Sequence, residues 1–380
     1  MHLPTTVLPM SSRSSIMSTA RPSSPRIPSL DGLRAVSIVF VLFAHLSGTV
    51  GFALPVPRFV LGALAGLGVR VFFVISGFLI TSLLLAEEQK TGTISLRDFY
   101  FRRTMRIFPP FYALVGLISA AAALGWVTLA RHDVVAAMTY TTNYHHARSW
   151  YLGHAWSLAV EEQFYLLWPF LVKYLGSRRA ARVALATVVA APVLRLVLLV
   201  GFPSLRVGIG ETFPTVADSI ATGCLLACHR ARLFEPAPGA SPRVALDGLG
   251  TWLATAVGLG AAFQPSAKLD CLLGQTATNL AIALVIERVV RFPDRAAGRL
   301  LNARPVVYVG TLSYSLYLWQ QPFLDRHSTA LVSRFPLNLG LAATCALLSF
   351  YLIERPALRL RSRIEARARH GPGPAAAPAA

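Results

Sequence analysis

Apolar residues in this chain come in long runs. Windows of roughly 20 mostly apolar residues, the length that crosses a bilayer as a helix, recur ten times. They fall at about 33–54, 60–86, 108–130, 156–175, 183–201, 213–229, 244–263, 269–287, 305–324 and 335–354. Glu161, Glu162 and Asp218 interrupt the fourth and sixth. No internal repeat is evident. Residues 1–29 lack a continuous apolar segment and are rich in Ser, Pro and Thr, so they read as a disordered tail rather than a cleaved signal peptide. Gly371 to Ala380 is a Pro/Ala tail of the same kind. The pattern predicts an all-α, polytopic membrane protein with about ten transmembrane helices. It divides into an N-tail at 1–29, a membrane domain at 30–360 and a basic, then Pro/Ala-rich tail at 361–380.

Composition agrees. Of 380 residues, 54% are hydrophobic and 14% charged, with a mean hydropathy of +0.54. A soluble domain carries about 25% charged residues, and one water-facing core could not hide this much apolar sequence. A disordered chain, a soluble two-domain enzyme and a secreted disulfide scaffold are excluded. The four cysteines (Cys224, Cys228, Cys271, Cys345) lie inside apolar runs, with neither disulfide nor zinc spacing.

The net charge of +19, from 36 Lys and Arg against 17 Asp and Glu, points either to nucleic acid or to topology. With the amino terminus set in the cytoplasm, inner segments hold 26 of the basic residues and outer segments 7. That asymmetry is the positive-inside signature. It supports ten spans with both termini cytoplasmic and leaves no need for nucleic acid.

Ionisable groups inside spans are costly and mark pathways or active sites. The first span reads DGLRAVSIVFVLFAHL, with Arg34 near its inner end and His45 eleven residues later. Eleven residues are about three helical turns, so the two share a face some 16 Å apart at ~1.5 Å per residue. A neutral His45 in mid-span has a lone pair for general-base work; the alternative is a core histidine bonded to a neighbouring helix. Next comes DFYFRRTMRIFPPFY, in which Arg103 and Arg106 face one way if helical, with Arg102 beside them. Pro109 and Pro110 are expected to break the chain where it enters the bilayer. Such guanidiniums suit a phosphate-bearing ligand, or simply orient the helix against anionic lipid.

The third feature is HAWSLAVEEQFYLLWPF, with Glu161 and Tyr165 on one face and Trp168 a further three residues on. One of the paired carboxylates is expected to orient His45 or an acceptor hydroxyl; the alternative is a re-entrant turn in which they pair with arginine. Tyr140, Trp150, Tyr151, Trp156 and Trp168 fit either an interfacial aromatic belt or a sugar-stacking surface. Lesser candidates are Asp31, Asp218, Ser76-Gly77 in FFVISGFLI, and Tyr314, Tyr317 and Gln320 in YSLYLWQQP. Ser76-Gly77 reads best as close helix packing. No nucleophile elbow, zinc-protease motif or Walker loop occurs.

Taken in order, these segments resemble the acyltransferase-3 family of integral membrane acyltransferases. The matching elements are R-x10-H (Arg34, His45), FFVISGFLI, FRRTMRIFPPFY, WSLAVEEQFYLLWP, LSYSLYLW and YLIERP, spread over about 30–360. The resemblance implies a ten-helix domain that moves an acyl group, often acetyl from cytoplasmic acyl-CoA, to a hydroxyl on a carbohydrate or glycosylated natural product. It implies a catalytic His45 with Arg34, and a donor site at Arg102, Arg103 and Arg106. Glu161 or Glu162 is implied as the motif glutamate, with substrate contacts at Trp156, Ser157, Tyr165 and Tyr317. No metal is implied. Many members read YLWHxP where this chain has Gln320, which cannot titrate, so no proton transfer carries over there. Some members carry a fused extracytoplasmic domain; with a short tail after Pro356, transfer is expected to finish here or pass to a separate extracytoplasmic partner.

The expectation is therefore a multi-pass enzyme of a bacterial inner or plasma membrane that O-acylates a surface polysaccharide. A macrolide-like acceptor is the alternative. A proton-coupled solute or lipid-linked sugar transporter is the competing class, but such proteins often show two related halves, and none are visible here.

Overall fold

The structure, a computed structural model, describes residues 27–235 and 245–370. Most of the expected N-tail and the tail at 371–380 lie outside the described residues. The first helix already begins at Pro28, and Ser29 is buried.

Among the described residues the chain is all-helical. The helices are α1 (Pro28–Leu46), α2 (Arg58–Thr91), α3 (Leu96–Ala123), α4 (Asp133–Met138), α5 (Ala155–Leu175), α6 (Ser177–Gly201) and α7 (Phe213–Phe234). They continue as α8 (Leu249–Gly260), α9 (Ala267–Leu269), α10 (Gln275–Arg291), α11 (Ala296–Leu301), α12 (Arg304–Gln320), α13 (Leu337–Ser349) and α14 (Arg355–His370). Wide π-turns at Asp270–Gly274 and Phe350–Glu354 join α9 to α10 and α13 to α14.

Six stretches are long and apolar enough to cross a membrane: α1, α2, α3, α6, Ala267–Arg291 and Leu337–Arg367. The other four expected windows fall on α5, α7, α8 and α12. Mid-helix polar groups, including Glu161, Glu162 and Asp218, lower the apolarity of α5 and α7, and α8 and α12 are only 12 and 17 residues long.

Local chemistry explains the helix ends that matter. Ser95 caps α3 by accepting from the Asp98 amide, and α2 stops at Gly92, whose φ of 74° suits a residue without Cβ. The expected break at Pro109-Pro110 does not occur, because α3 runs through both prolines. A proline pair frees the carbonyls four residues back, and neighbouring helices can compensate in a membrane bundle. The Tyr314 hydroxyl of α12 donates to the Ile107 carbonyl at 2.8 Å, which ties α12 to this stretch of α3.

At the centre, α1 lies between α2 and α12, while α2 packs along α7 and α7 along α6. The α2–α7 crossing depends on glycine on both sides. A Cβ on Gly77 would overlap the Ile220 carbonyl, and one on Gly223 the Val74 carbonyl. Close backbone approach at small residues is a main source of helix association where water is absent.

Arg195 of α6 meets Asp218 of α7 with both side chains fully buried. Its Nη1 and Nη2 donate to Oδ1 and Oδ2 at 3.0 Å each. The remaining N–H groups go to the carbonyls of Thr215 and Cys271 and the Thr276 hydroxyl. All five guanidinium donors are used, so Asp218 belongs to a structural clamp joining α6, α7 and α10.

Candidate active site

Five helices converge on one cleft that, counted with its open mouth, encloses ≈ 770 Å³. Helix α1 contributes Arg34, α2 contributes Phe72 and Ser76, and α3 contributes Arg103 and Arg106. Ser157, Glu161, Glu162 and Tyr165 come from α5, and Tyr314 and Tyr317 from α12. Helical spacing aligns the main contributors: Arg103 with Arg106, Ser157 with Glu161, and Glu161 with Tyr165 each recur after three or four residues. The lining sets three guanidiniums against two carboxyl groups, an excess of positive charge in apolar walls.

The two glutamates differ. Glu161 Oε1 accepts from the Ser76 hydroxyl at 2.6 Å, and the Tyr165 hydroxyl donates to Ser76 at 3.2 Å. Arg103 lies 4.8 Å above the Tyr165 ring, which fixes the guanidinium while leaving its donors free to point elsewhere. Glu162 Oε1 is buried without a hydrogen-bond partner among the described residues. The same holds for the hydroxyl of Tyr140. Tyr140 sits at a φ of 51°, a region non-glycine residues rarely occupy. Gln163 Nε2 holds it there by donating to its carbonyl at 3.0 Å, and its ring stacks on Phe111 at 4.7 Å. Burial, and then the Glu162 carboxylate, push the Tyr140 hydroxyl up from its ordinary range, so it remains a protonated donor.

At the α1 edge of the cleft, Arg34 pairs with Asp31 at 3.2 Å. Glu354, from the closing YLIERP segment, is buried and accepts from the Ser315 hydroxyl at 3.1 Å.

His45 does not line this cleft. It occupies the last turn of α1, and its Nδ1 is 2.8 Å from Gln320 Oε1 at the end of α12. The Trp150 ring stands edge-on, 5.4 Å away. Tyr317, in the cleft lining, pairs through its hydroxyl with Ser157 Oγ at 2.6 Å and donates to the His154 carbonyl at 3.1 Å. The arrangement is thus a charged cleft, lined in part by the Tyr317–Ser157 pair, and an imidazole outside its lining.

Several expectations need correction. Arg102 is not among the residues lining the cleft; it pairs with Glu87 at 3.2 Å. Neither glutamate is the hydrogen-bond partner of His45, a place taken by Gln320. Trp156 packs on Phe73 instead of lining the cleft, and Trp168 donates to Thr81 at 2.8 Å, joining α5 to α2. Ser76 serves more than packing, since it bridges Glu161 and Tyr165. In the loop before α5, His145 pairs with Asp133 and Arg148 with both Glu211 oxygens at 2.7 Å, so these brace the loop while Trp150 covers His45. Gln321 and Glu354 carried no site signal strong enough to single them out, and Tyr140 stood out only as one of the aromatics of a belt or sugar-stacking surface. Among the described residues no three His, Cys, Asp or Glu side chains converge as a metal-ligand set.

A family model described as an acyltransferase domain matches residues 27–354, and the chain belongs to this acyltransferase-3 family. It is similar to the peptidoglycan O-acetyltransferase OatA of Listeria monocytogenes, at 27% identity over 89% of this chain and 57% of that protein. It is also similar to the O-acetyltransferase OatA of Staphylococcus aureus, at 27% identity over 88% of this chain and 57% of the relative. The chain therefore spans little more than half the length of these curated relatives. No solved structure matches it.

Proposed function

We propose that this protein is a membrane O-acyltransferase. It takes an acyl group, acetyl in the first instance, from acyl-CoA and delivers it to a hydroxyl of a cell-surface polysaccharide. The observation that carries the reading is the convergence of Arg34, Arg103, Arg106, Glu161 and Glu162 in one cleft of a chain of this family. The relatives' names, which specify O-acetyl transfer and in one case peptidoglycan, support a polysaccharide acceptor.

Arg103 and Arg106 hold the donor's phosphates through fork-shaped, charge-assisted hydrogen bonds. Arg34 adds a third positive charge to the cleft, which favours the anionic groups of the donor. Tyr165 and Ser76 keep Glu161 in place. Glu162, with an oxygen free for a ligand, is the carboxyl that meets substrate. His45 accepts the proton of the acceptor hydroxyl as its oxygen attacks the thioester carbonyl. The C–S bond then breaks, and the thiolate leaves with that proton as free CoA thiol.

The donor enters from the cytoplasm, where ten crossings with both termini inside would put the arginines. The acceptor comes from the other face, past Trp150. The membrane is the bacterial plasma or inner membrane, and the acceptor sugar is presented there directly or through a separate extracytoplasmic partner.

The deciding experiment uses vesicles holding the full chain, radiolabelled acetyl-CoA on the cytoplasmic side, and polysaccharide fragments on the other. Acetyl-CoA-dependent label in the polysaccharide is expected, and its loss in His45→Gln. Solute uptake without acyl transfer would overturn the enzyme reading. Label appearing only with cytoplasmic acceptor would overturn the two-sided route alone.

A further inference from the structure

The side of the imidazole that stays free on His45 is determined by a chain of side-chain amides beginning outside α1. Trp150 ends this chain with its backbone carbonyl, which can only accept. Gln321 Nε2 donates to that carbonyl at 2.8 Å, which turns Gln321 Oε1 the other way. Toward that oxygen Gln320 directs its Nε2, at 3.2 Å, so Gln320 Oε1 must face His45. An amide oxygen accepts and cannot donate, so the imidazole nitrogen 2.8 Å from it, Nδ1, has to carry the proton. Every link has one allowed direction, because the last acceptor is a carbonyl that cannot be reversed.

Other contacts hold this chain in register. Trp150 Nε1 donates to the Gln321 carbonyl at 2.8 Å, so loop and helix end are tied twice. Gly153 leaves room for the crossing, since a Cβ there would stand 3.2 Å from Gln321 Nε2 and 3.1 Å from the Trp150 carbonyl. Gln320 is fully buried and Gln321 nearly so, which raises the cost of leaving any of these groups unmatched. Among the described residues nothing bonds His45 Nε2.

We infer that Gln320 is a positioning residue that, through Gln321 and the Trp150 carbonyl, holds neutral His45 as the Nδ1–H tautomer with the Nε2 lone pair free for the acceptor hydroxyl. The partner of a histidine's second nitrogen decides which nitrogen can act as a base. Here that partner is a non-titrating amide, so the tautomer is held without adding a charge beside the ring. The chain also makes the base conditional on the loop: His45 is held in this form only while Trp150 is docked over it. This inference rests on the proposed role of His45 for its catalytic meaning, but the tautomer itself is measurable without any acyl transfer.

The test is nitrogen-15 NMR of ring-labelled histidine in the full chain in lipid nanodiscs, with the His45 signals assigned by their absence in His45→Gln. Wild type should show Nδ1 protonated and Nε2 bare. Gln320→Met keeps length but removes the acceptor, and should move His45 toward the Nε2–H form. Gln321→Met breaks the chain one link earlier, lets the Gln320 amide turn, and should give a mixture. Gln320→Glu restores an acceptor and should restore Nδ1–H. In turnover assays Gln320→Met should lose about tenfold or more in kcat, within the range general-base catalysis supplies, with KM for acetyl-CoA unchanged.

A wild-type His45 protonated on Nε2, or a Gln320→Met signal identical to wild type, overturns the inference and leaves the enzyme assignment intact. A correct tautomer in a protein whose His45→Gln variant still transfers acyl groups overturns the role of His45 instead. If Gln320→Met does not fold, the wild-type spectrum alone still decides the tautomer.

Discussion

Two of the places where arginine and carboxylate meet among apolar helices, the Arg195–Asp218 pair and the cleft, are built oppositely. At Arg195–Asp218 all five guanidinium N–H groups have partners and both side chains are inaccessible. In the cleft, Arg103 rests on an aromatic face, Glu161 is held by a serine hydroxyl, and Glu162 keeps a buried oxygen with no protein partner. A satisfied buried pair holds helices in register. A cluster whose polar groups are left over is completed by something that binds, because an unmatched buried polar atom costs free energy until a ligand or water meets it. Residue type is alike in the two places, but the clamp is fully buried and the charged residues of the cleft only partly so; burial and hydrogen-bond accounting together separate clamp from site.

The largest effect should come from breaking the clamp on one side. Asp218→Asn leaves Arg195 buried without a counter-charge, and removing one partner of such a pair costs about 3–5 kcal/mol. Expression and thermal unfolding of the detergent-solubilised protein should fall sharply, while acyl transfer per folded molecule stays near wild type. A variant equally stable but inactive would show that the clamp belongs to the site. Replacing both partners, with Arg195→Met and Asp218→Leu together, should recover much of the stability.

Substitutions at the site should do the reverse. His45→Gln removes the proposed general base, and transfer should drop by about 10² or more with an unfolding temperature close to wild type. Cleft arginines come next. Arg103→Lys and Arg106→Lys keep the charge but lose the planar fork, so KM for acetyl-CoA should rise about tenfold, or ~1.4 kcal/mol, while acceptor KM is unaffected. Unchanged acetyl-CoA affinity in Arg103→Ala would reduce the cluster to a topology anchor. Arg102→Ala, altering only the pair with Glu87, is the matched control and should leave that KM alone. The smallest effect belongs to Ser76→Ala. It removes one hydrogen bond from Glu161 and should cost about 1 kcal/mol, read as a several-fold fall in kcat.

Much of this was legible in the chain as written. Spacing of Arg103 and Arg106 at i, i+3 placed them together, because helix geometry is local. Glu161, Glu162 and Tyr165 declared themselves as polar groups inside an apolar run. Arg102 shows the limit of spacing: it lies about 40° from Arg106 around the helix, so the period alone groups the two, and only the tertiary fold shows it paired with Glu87. The prolines of α3 suggest a break because their local cost is visible in the sequence, whereas the helix runs through both in the fold. Ser76 looked like a packing residue because its bond partner lies 85 positions away.

By itself the sequence determined the class of molecule. Apolar runs set helices of membrane length, the bias of basic residues argued for an orientation, and six motifs in order identified the family. Those properties depend on period, length and order, which a chain carries before it folds. Tertiary structure decided which polar groups end up satisfied. It closed Arg195 onto Asp218 and left Glu162 open to the cleft. It turned His45 away from both glutamates toward Gln320, and aligned the amides of Gln320 and Gln321 with a loop carbonyl. Hydrogen-bond direction depends on where distant donors and acceptors meet, and only the packing of α1, α5 and α12 brings those groups within reach.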